Sequence, residues 1–274
     1  MHPIQPEEIR SFRRQVYRYF ENHGRVLPWR RDFNPYHIFV SEVMLQQTQV
    51  DRVIDKFNAF IERFPDIATL SASSLEAVLA QWQGLGYNRR AAALREAAKR
   101  IVYSYNGIIP NDPDTLCSLP GIGPATAASI VVFAFNQPMV FLETNIRTVF
   151  IHHFIHNREL IDDVTILPLA EAALDRRNPR KWYSALMDYG TMLKRSVGNL
   201  SRNSTTYKKQ SPFIGSRRQM RGAIIKLLLK YRRSTYQSIA RELKKDKTTV
   251  ANSLNQMTNE GLLKKDRRWY LIAS

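Results

Sequence analysis

Two glutamates and one glycine-rich turn carry the residue types and spacing that could do chemistry. Glu42 lies in an apolar helical run, with Ile38 four residues before it and Leu45 three after. At helical spacing those side chains flank it on one face. A carboxyl against apolar neighbours is expected to keep its proton to a higher pH, which suits a general acid, although spacing alone is equally met by an ordinary surface carboxylate. The run that follows, Gln46-Gln47-Thr48-Gln49, offers hydrogen bonds without charge, as contact with bases requires. Glu143, within Leu142-Glu143-Thr144-Asn145-Ile146-Arg147, stands at a helix start, where capping alone would explain a carboxylate. Leu119-Pro120-Gly121-Ile122-Gly123 joins two helices. Gly121 and Gly123 permit a sharp reversal whose exposed N–H groups, with the next helix N-terminus, can hold a phosphate.

The elements that must position these residues are helical nearly throughout. Pro6-Glu7-Glu8 opens a first amphipathic helix, and Gly24 stands where it should stop. One long helical stretch is expected over about 36–64. Shorter helices are expected at about 73–83, 88–105, 113–118 and 125–135, with another from near Thr144. The polar stretch Ser196–Ser216 reads as a linker. Beyond it come three helices, about 219–231, 236–243 and 248–260, then an alternating strand at 268–272. That is the order of a winged helix-turn-helix, whose third helix would present Thr248 and Asn252 to a major groove. A small helical domain for protein contacts is the alternative.

Charge divides the 274 residues unevenly. The net charge is +17, and residues 189–274 hold 20 Lys/Arg against 4 Asp/Glu. Residues 1–188 are close to neutral, with 21 against 20. A basic block interleaved with apolar helical residues implies a polyanionic partner, most simply nucleic acid. The single cysteine, Cys117, reads as inert packing and excludes a disulfide framework. No apolar leader is seen, and the longest apolar run, Ala127–Phe135, is too short for a bilayer, so an intracellular protein of the cytoplasm or nucleoid is expected. His152 and His156 share an i,i+4 spacing that could hold a metal, but nothing nearby in sequence completes a site.

With these pieces in this order, residues 8–195 resemble the helix-hairpin-helix DNA glycosylase superfamily, and within it the MutY adenine glycosylases. The resemblance rests on Leu27-Pro28-Trp29-Arg30, the Ser41–Val50 block, Trp82-Gln83-Gly84-Leu85-Gly86-Tyr87 and the glycine hairpin. It implies an all-α glycosylase fold of two helical subdomains with a helix-hairpin-helix, over 1–205, and leaves the winged helix to 216–274. By resemblance, Glu42 is the acid that protonates the departing base, and Glu143 stands where the family has an aspartate that stabilises the positive sugar. Arg25, Trp29, Arg30, Leu45 and Asp188 match the base pocket. Tyr87 matches a wedge in the base stack, and Gln47 and Thr48 match contacts to the opened duplex. The target nucleotide would be flipped into the pocket.

Three departures narrow the expectation. Ala125 replaces the lysine of bifunctional relatives, so a monofunctional enzyme is expected. The segment after Asp188 has no cysteine, so neither a four-thiolate iron–sulfur cluster nor any other cofactor or metal is expected, and Lys194 and Arg195 would take over its DNA contacts. The C-terminal part lacks the pattern of the domain that reads 8-oxoguanine in bacterial relatives. The expected substrate is double-stranded DNA with adenine opposite 8-oxoguanine or guanine, bound by a monomer. A thymine or uracil mismatch glycosylase, or a non-catalytic DNA-binding protein, are the alternatives.

Overall fold

The computed structural model describes residues 5–155 and 160–274. They form two compact units. The first comprises the chain through Ile38, Asn111–Cys117 and Gly123–Lys209; the second comprises Phe39–Pro110, Ser118–Ile122 and Gln210–Ser274.

Helix α1 (Pro6–His23) opens the first unit and buries Ile9, Phe12 and Val16. Its C-cap glycine is extended rather than left-handed (φ −60°). Close approach still demands a glycine, since a Cβ on Gly24 would lie 2.6 Å from the carbonyl oxygen of Phe20. The helix α2 (Pro35–Leu45) runs from this unit into the second. In the second unit follow α3 (Val50–Arg63), α4 (Ile67–Ala72), α5 (Leu75–Gln81) and α6 (Arg89–Tyr105). The first unit resumes with α7 (Pro113–Cys117), α8 (Pro124–Phe135), α9 (Thr144–Phe154), α10 (Asp163–Ala173) and α11 (Pro179–Ser196). Its core gathers aromatic rings: Phe12 meets Phe150 and Trp182 at centroid separations of 5.5 and 5.7 Å. Gly190 of α11 lies so close to α9 that a Cβ would sit 2.5 Å from the carbonyl oxygen of Asn145.

The single helix expected over 36–64 is instead two. Helix α2 ends at Leu45, Gln47 is left-handed (φ 54°), and α3 starts at Val50. Arg90 supplies the reason, because it takes the carbonyls of Val43, Met44 and Gln46 away from a continuing helical ladder. Likewise the helix expected over 73–83 begins only at Leu75, where Ser74 caps it by accepting from Ala77 N–H.

Helix α12 (Arg217–Tyr231) packs on α5 within the second unit. It is followed by β1 (Arg233–Thr235), α13 (Tyr236–Glu242), α14 (Lys247–Asn259), β2 (Leu263–Asp266) and β3 (Trp269–Ile272). The strands form an antiparallel sheet in the order β1-β3-β2. Of the three, the sequence pattern predicts only β3. Strands β1 and β2 are short and carry Arg, Ser and Lys, so they show no apolar alternation. The expected linker is also shorter. Ile161 bridges Ser204 and accepts from Thr205 N–H at 3.0 Å, so residues up to 205 are tied to the first unit.

Candidate active site

Asp188 ties together the two arginines expected at the base pocket, in the first unit. It is 2% exposed and accepts from Arg25 N–H at 2.8 Å, from Arg25 Nε at 2.8 Å and from Arg30 Nη1 at 3.0 Å. Burial alone would raise its carboxyl. The hydrogen bond and charge of Arg30, then the bonds from Arg25, outweigh that and hold it below the usual carboxylate value. The pair of forks leaves the cluster with one net positive charge. Trp29 is buried in the 3₁₀ turn Pro28–Arg30, which aims Arg30 inward. A cavity of about 400 Å³ is lined by Tyr19, Arg25, Asp188, Met192 and Arg195. Leu45, the other expected pocket residue, is half-buried at the end of α2 in the second unit.

Glu143 is the N-cap of α9. Its Oε1 accepts from the N–H groups of Asn145 at 2.8 Å and Ile146 at 3.0 Å. The capping role is therefore present in the structure. Desolvation nevertheless pushes its carboxyl above the ordinary value. The two backbone bonds and the charges of Lys194 and Arg147 only partly offset this. Arg147 is largely committed elsewhere, in a two-point bond to Asp163 at 2.7 and 2.6 Å. Lys194 acts on Glu143, while Arg195 is exposed at the cavity rim.

In the second unit Glu42 is a half-buried residue on α2, on the turn whose neighbours Ser41 and Val43 are buried. Beyond it, Arg90 holds the whole Gln46–Tyr87 neighbourhood together. Its Nη1 donates to the carbonyls of Val43 and Met44 at 3.0 and 2.8 Å, and to that of Gln46. Its Nη2 donates to Thr48 Oγ1 at 2.9 Å and to the carbonyls of Leu85 and Gly86 at 3.3 Å each. The guanidinium also lies 5.4 Å from the ring centroids of Trp82 and Tyr87. Burial lowers Arg90 to about 10, so it stays charged at neutral pH. No sequence motif singles this residue out. Its only signal is an arginine at the second position of a helix that follows a double-glycine turn.

Gly84, Gly86 and Tyr87 all have positive φ (94°, 70° and 47°), and Trp82 Nε1 closes the turn on Gly86 O at 3.0 Å. Tyr87 is thereby half-buried at the tip of the turn, and Gln47 is exposed. Gln46 Nε2 donates to Gly121 O at 3.0 Å, so the glycine turn joins the same neighbourhood. Gly121 (φ 78°) could not carry a side chain, since a Cβ would meet Ala93 Cβ at 2.8 Å. Gly123 caps α8 without a side-chain oxygen, so nothing of its own covers the helix N-terminus. Thr248 and Asn252 lie exposed on α14, whose opposite face buries Val250, Leu254 and Met257.

The four thiolates of an iron–sulfur cluster do not fit this chain, because residues 191–205 contain no cysteine. Polar side chains fill the region: Ser201 Oγ donates to Asn199 Oδ1 at 2.7 Å, and Ser204 and Thr206 share a bond of 2.9 Å. Among the described residues no group of three or more His, Cys, Asp or Glu is placed to hold a metal. His156, of the expected histidine pair, lies outside the described residues. Among the same residues no helix is long and apolar enough to cross a membrane.

Known proteins of similar sequence and fold point the same way. Residues 40–165 match the family described as HhH-GPD superfamily base excision DNA repair protein. An adenine DNA glycosylase of Buchnera aphidicola subsp. Baizongia pistaciae is 38% identical over 187 residues, 66% of this chain and 52% of that protein. One from Mycolicibacterium smegmatis is 41% identical over 53% of this chain and 48% of its own. The chain thus spans about half the length of these curated relatives. Among solved structures, a thermostable thymine-DNA glycosylase aligns with TM-score 0.60 at 21% identity, covering 68% of this chain and 87% of its own. A trapped endonuclease III–DNA intermediate aligns with TM-score 0.55, also at 21% identity, covering 77% of this chain and 92% of its own.

Proposed function

We propose that this chain, whose residues 40–165 are an HhH-GPD superfamily domain and whose helices adopt that glycosylase fold, removes mispaired adenine from double-stranded DNA by hydrolysing its glycosidic bond. The observation that carries the choice of adenine is the run of relatives named adenine DNA glycosylases at 32–41% identity. Glu42 is the acid: it gives its proton to a ring nitrogen of the flipped adenine, so the base leaves neutral. Glu143, ionised, offsets the positive charge that develops on the sugar. Two backbone N–H bonds hold its carboxylate rigidly, which keeps that charge in place without reorganisation. Arg25 and Arg30 supply donors at the base pocket, held in place by the Asp188 carboxylate that accepts from both. Tyr87, Gln47 and Thr48 hold the opened duplex, and the Gly121–Gly123 turn and α8 take a backbone phosphate.

The enzyme is monofunctional, because Ala125 offers no amine for a Schiff base. It works without an iron–sulfur cluster, with Lys194 and Arg195 at the end of α11. The segment 216–274 is a winged helix-turn-helix that adds grip on phosphate, with Thr248 and Asn252 on its groove-facing helix. The expected substrates carry adenine opposite 8-oxoguanine or guanine. The test is a Glu42→Gln variant in single-turnover excision from such duplexes. Binding is expected to persist while excision falls by at least roughly 100-fold. Unchanged excision would remove Glu42 from the role of acid.

A further inference from the structure

A second cavity, of about 360 Å³, lies in the second unit, where α12 faces the α2–α3 break and Tyr87. Arg218 Nη1 donates to Tyr87 Oη at 3.0 Å, and its guanidinium carbon lies 5.1 Å from that ring centroid. Its Nη2 reaches back to the carbonyl of Ser211. Gln210 Nε2 donates to Gln47 O at 3.3 Å. The first turn of α12 and Gln210 before it are therefore fastened to two of the three residues assigned to the opened duplex. Also lining the cavity, Arg221 and Glu260 form a two-point ion pair, with 16% and 24% of their side chains exposed. Arg89 stands 3.9 Å from the same carboxylate.

We propose that this cavity receives the base left without a partner when the target is removed, and that it selects a guanine-type purine. The proposal rests on the glycosylase reading above. The ion pair places N–H donors next to a carboxylate acceptor. Guanine matches that order with its O6 acceptor beside the N1–H donor, and 8-oxoguanine adds a donor at N7. Adenine presents the reverse order there, an amino donor beside an acceptor nitrogen. Cytosine presents adenine's reverse order and mismatches the pair, whereas thymine shares guanine's order and differs from it in size alone. Arg221 keeps N–H groups beyond the two that face Glu260, so binding the base does not require breaking the pair. Tyr87 and the planar Arg218 fork supply stacking surfaces for a purine face. In this reading α12 and Glu260 set the choice of opposite base, and the elements around Glu42 and Glu143 perform the cleavage.

The experiment compares Arg221→Ala, Glu260→Gln and Arg218→Lys with the wild-type protein. Adenine excision is timed from duplexes with guanine, 8-oxoguanine or cytosine opposite, and melting temperatures confirm folding. Binding is measured in parallel to duplexes that carry a stable abasic analogue opposite guanine or cytosine. The wild type is expected to favour the guanine-type partners in both assays. Arg221→Ala and Glu260→Gln are expected to shrink that preference by roughly 10-fold while the rate opposite cytosine stays the same. Arg218→Lys, which keeps the charge but loses the fork, should fall between. Folded variants with an unchanged preference would overturn the proposal. A wild type that binds with the preference but excises nothing would instead sink the glycosylase reading and leave the subsite standing.

Discussion

At the scale of single residues, the buried carboxylates make opposite demands on stability. Glu143 has a raised folded-state value, so folding disfavours its charge even after its capping bonds are counted. The cost appears as pH rises past the ordinary value of 4.5 and is complete above the raised one. Glu143→Gln is therefore expected to melt higher than wild type at pH 7, with the gap closing as pH falls toward 4.5, and to excise adenine more slowly. A lower melting temperature at pH 7 would show that capping, not desolvation, dominates. Asp188 has the reverse sign, since its folded value lies below the ordinary 3.8. Its contribution is present above 3.8 and disappears as pH falls through the lowered value. Asp188→Asn strands two partly buried guanidinium groups and is expected to cost about 3 kcal/mol at pH 7 in urea denaturation. The difference should narrow only below pH 3.8. Arg90→Ala removes the donor to at least six acceptors and should destabilise by about 2–4 kcal/mol. Arg90→Lys cannot rescue it, because one ammonium cannot span those acceptors.

Among the elements, the α9–α11 packing depends on a missing side chain. Gly190→Ala would press a methyl onto the carbonyl of Asn145, within the first turn of α9 that Glu143 caps. A destabilisation of about 1–3 kcal/mol is expected on thermal melting, with excision falling more than binding. Much of this scaffold is legible in the sequence. Asp246, Ser216 and Thr235 cap their helices, each accepting from an N–H three residues on. Helices α6, α8 and α14 start within a residue or two of expectation because their apolar periodicity is strong. What stays hidden comes from partners distant in sequence. The α2–α3 break is dictated by Arg90, more than forty residues away. The aspartate–arginine cluster spans residues 25 to 188. The roles proposed for Glu42 and Glu143 rest on motif resemblance, since periodicity alone gives a surface carboxylate and a helix cap. Strands β1 and β2 are invisible because their pairing, not their composition, makes them strands.

Across the whole molecule, the excess positive charge sits in residues 189–274. The exposed Lys244, Lys245 and Lys247 flank the start of α14. Replacing all three with Gln is expected to weaken binding to matched and mismatched duplexes alike. The slope of log affinity against log salt should fall by about 0.9 for each phosphate that the protein no longer neutralises. Sequence preference should stay the same, because phosphate contacts position and base contacts specify. The central claim is that adenine leaves its sugar. The most direct measurement is release of the free base from a duplex with adenine opposite 8-oxoguanine, alongside thymine opposite guanine in the same sequence. The account requires free adenine to accumulate, with an alkali-labile site left in the strand that held it. An intact adenine strand despite tight binding, or release of thymine alone, would contradict it.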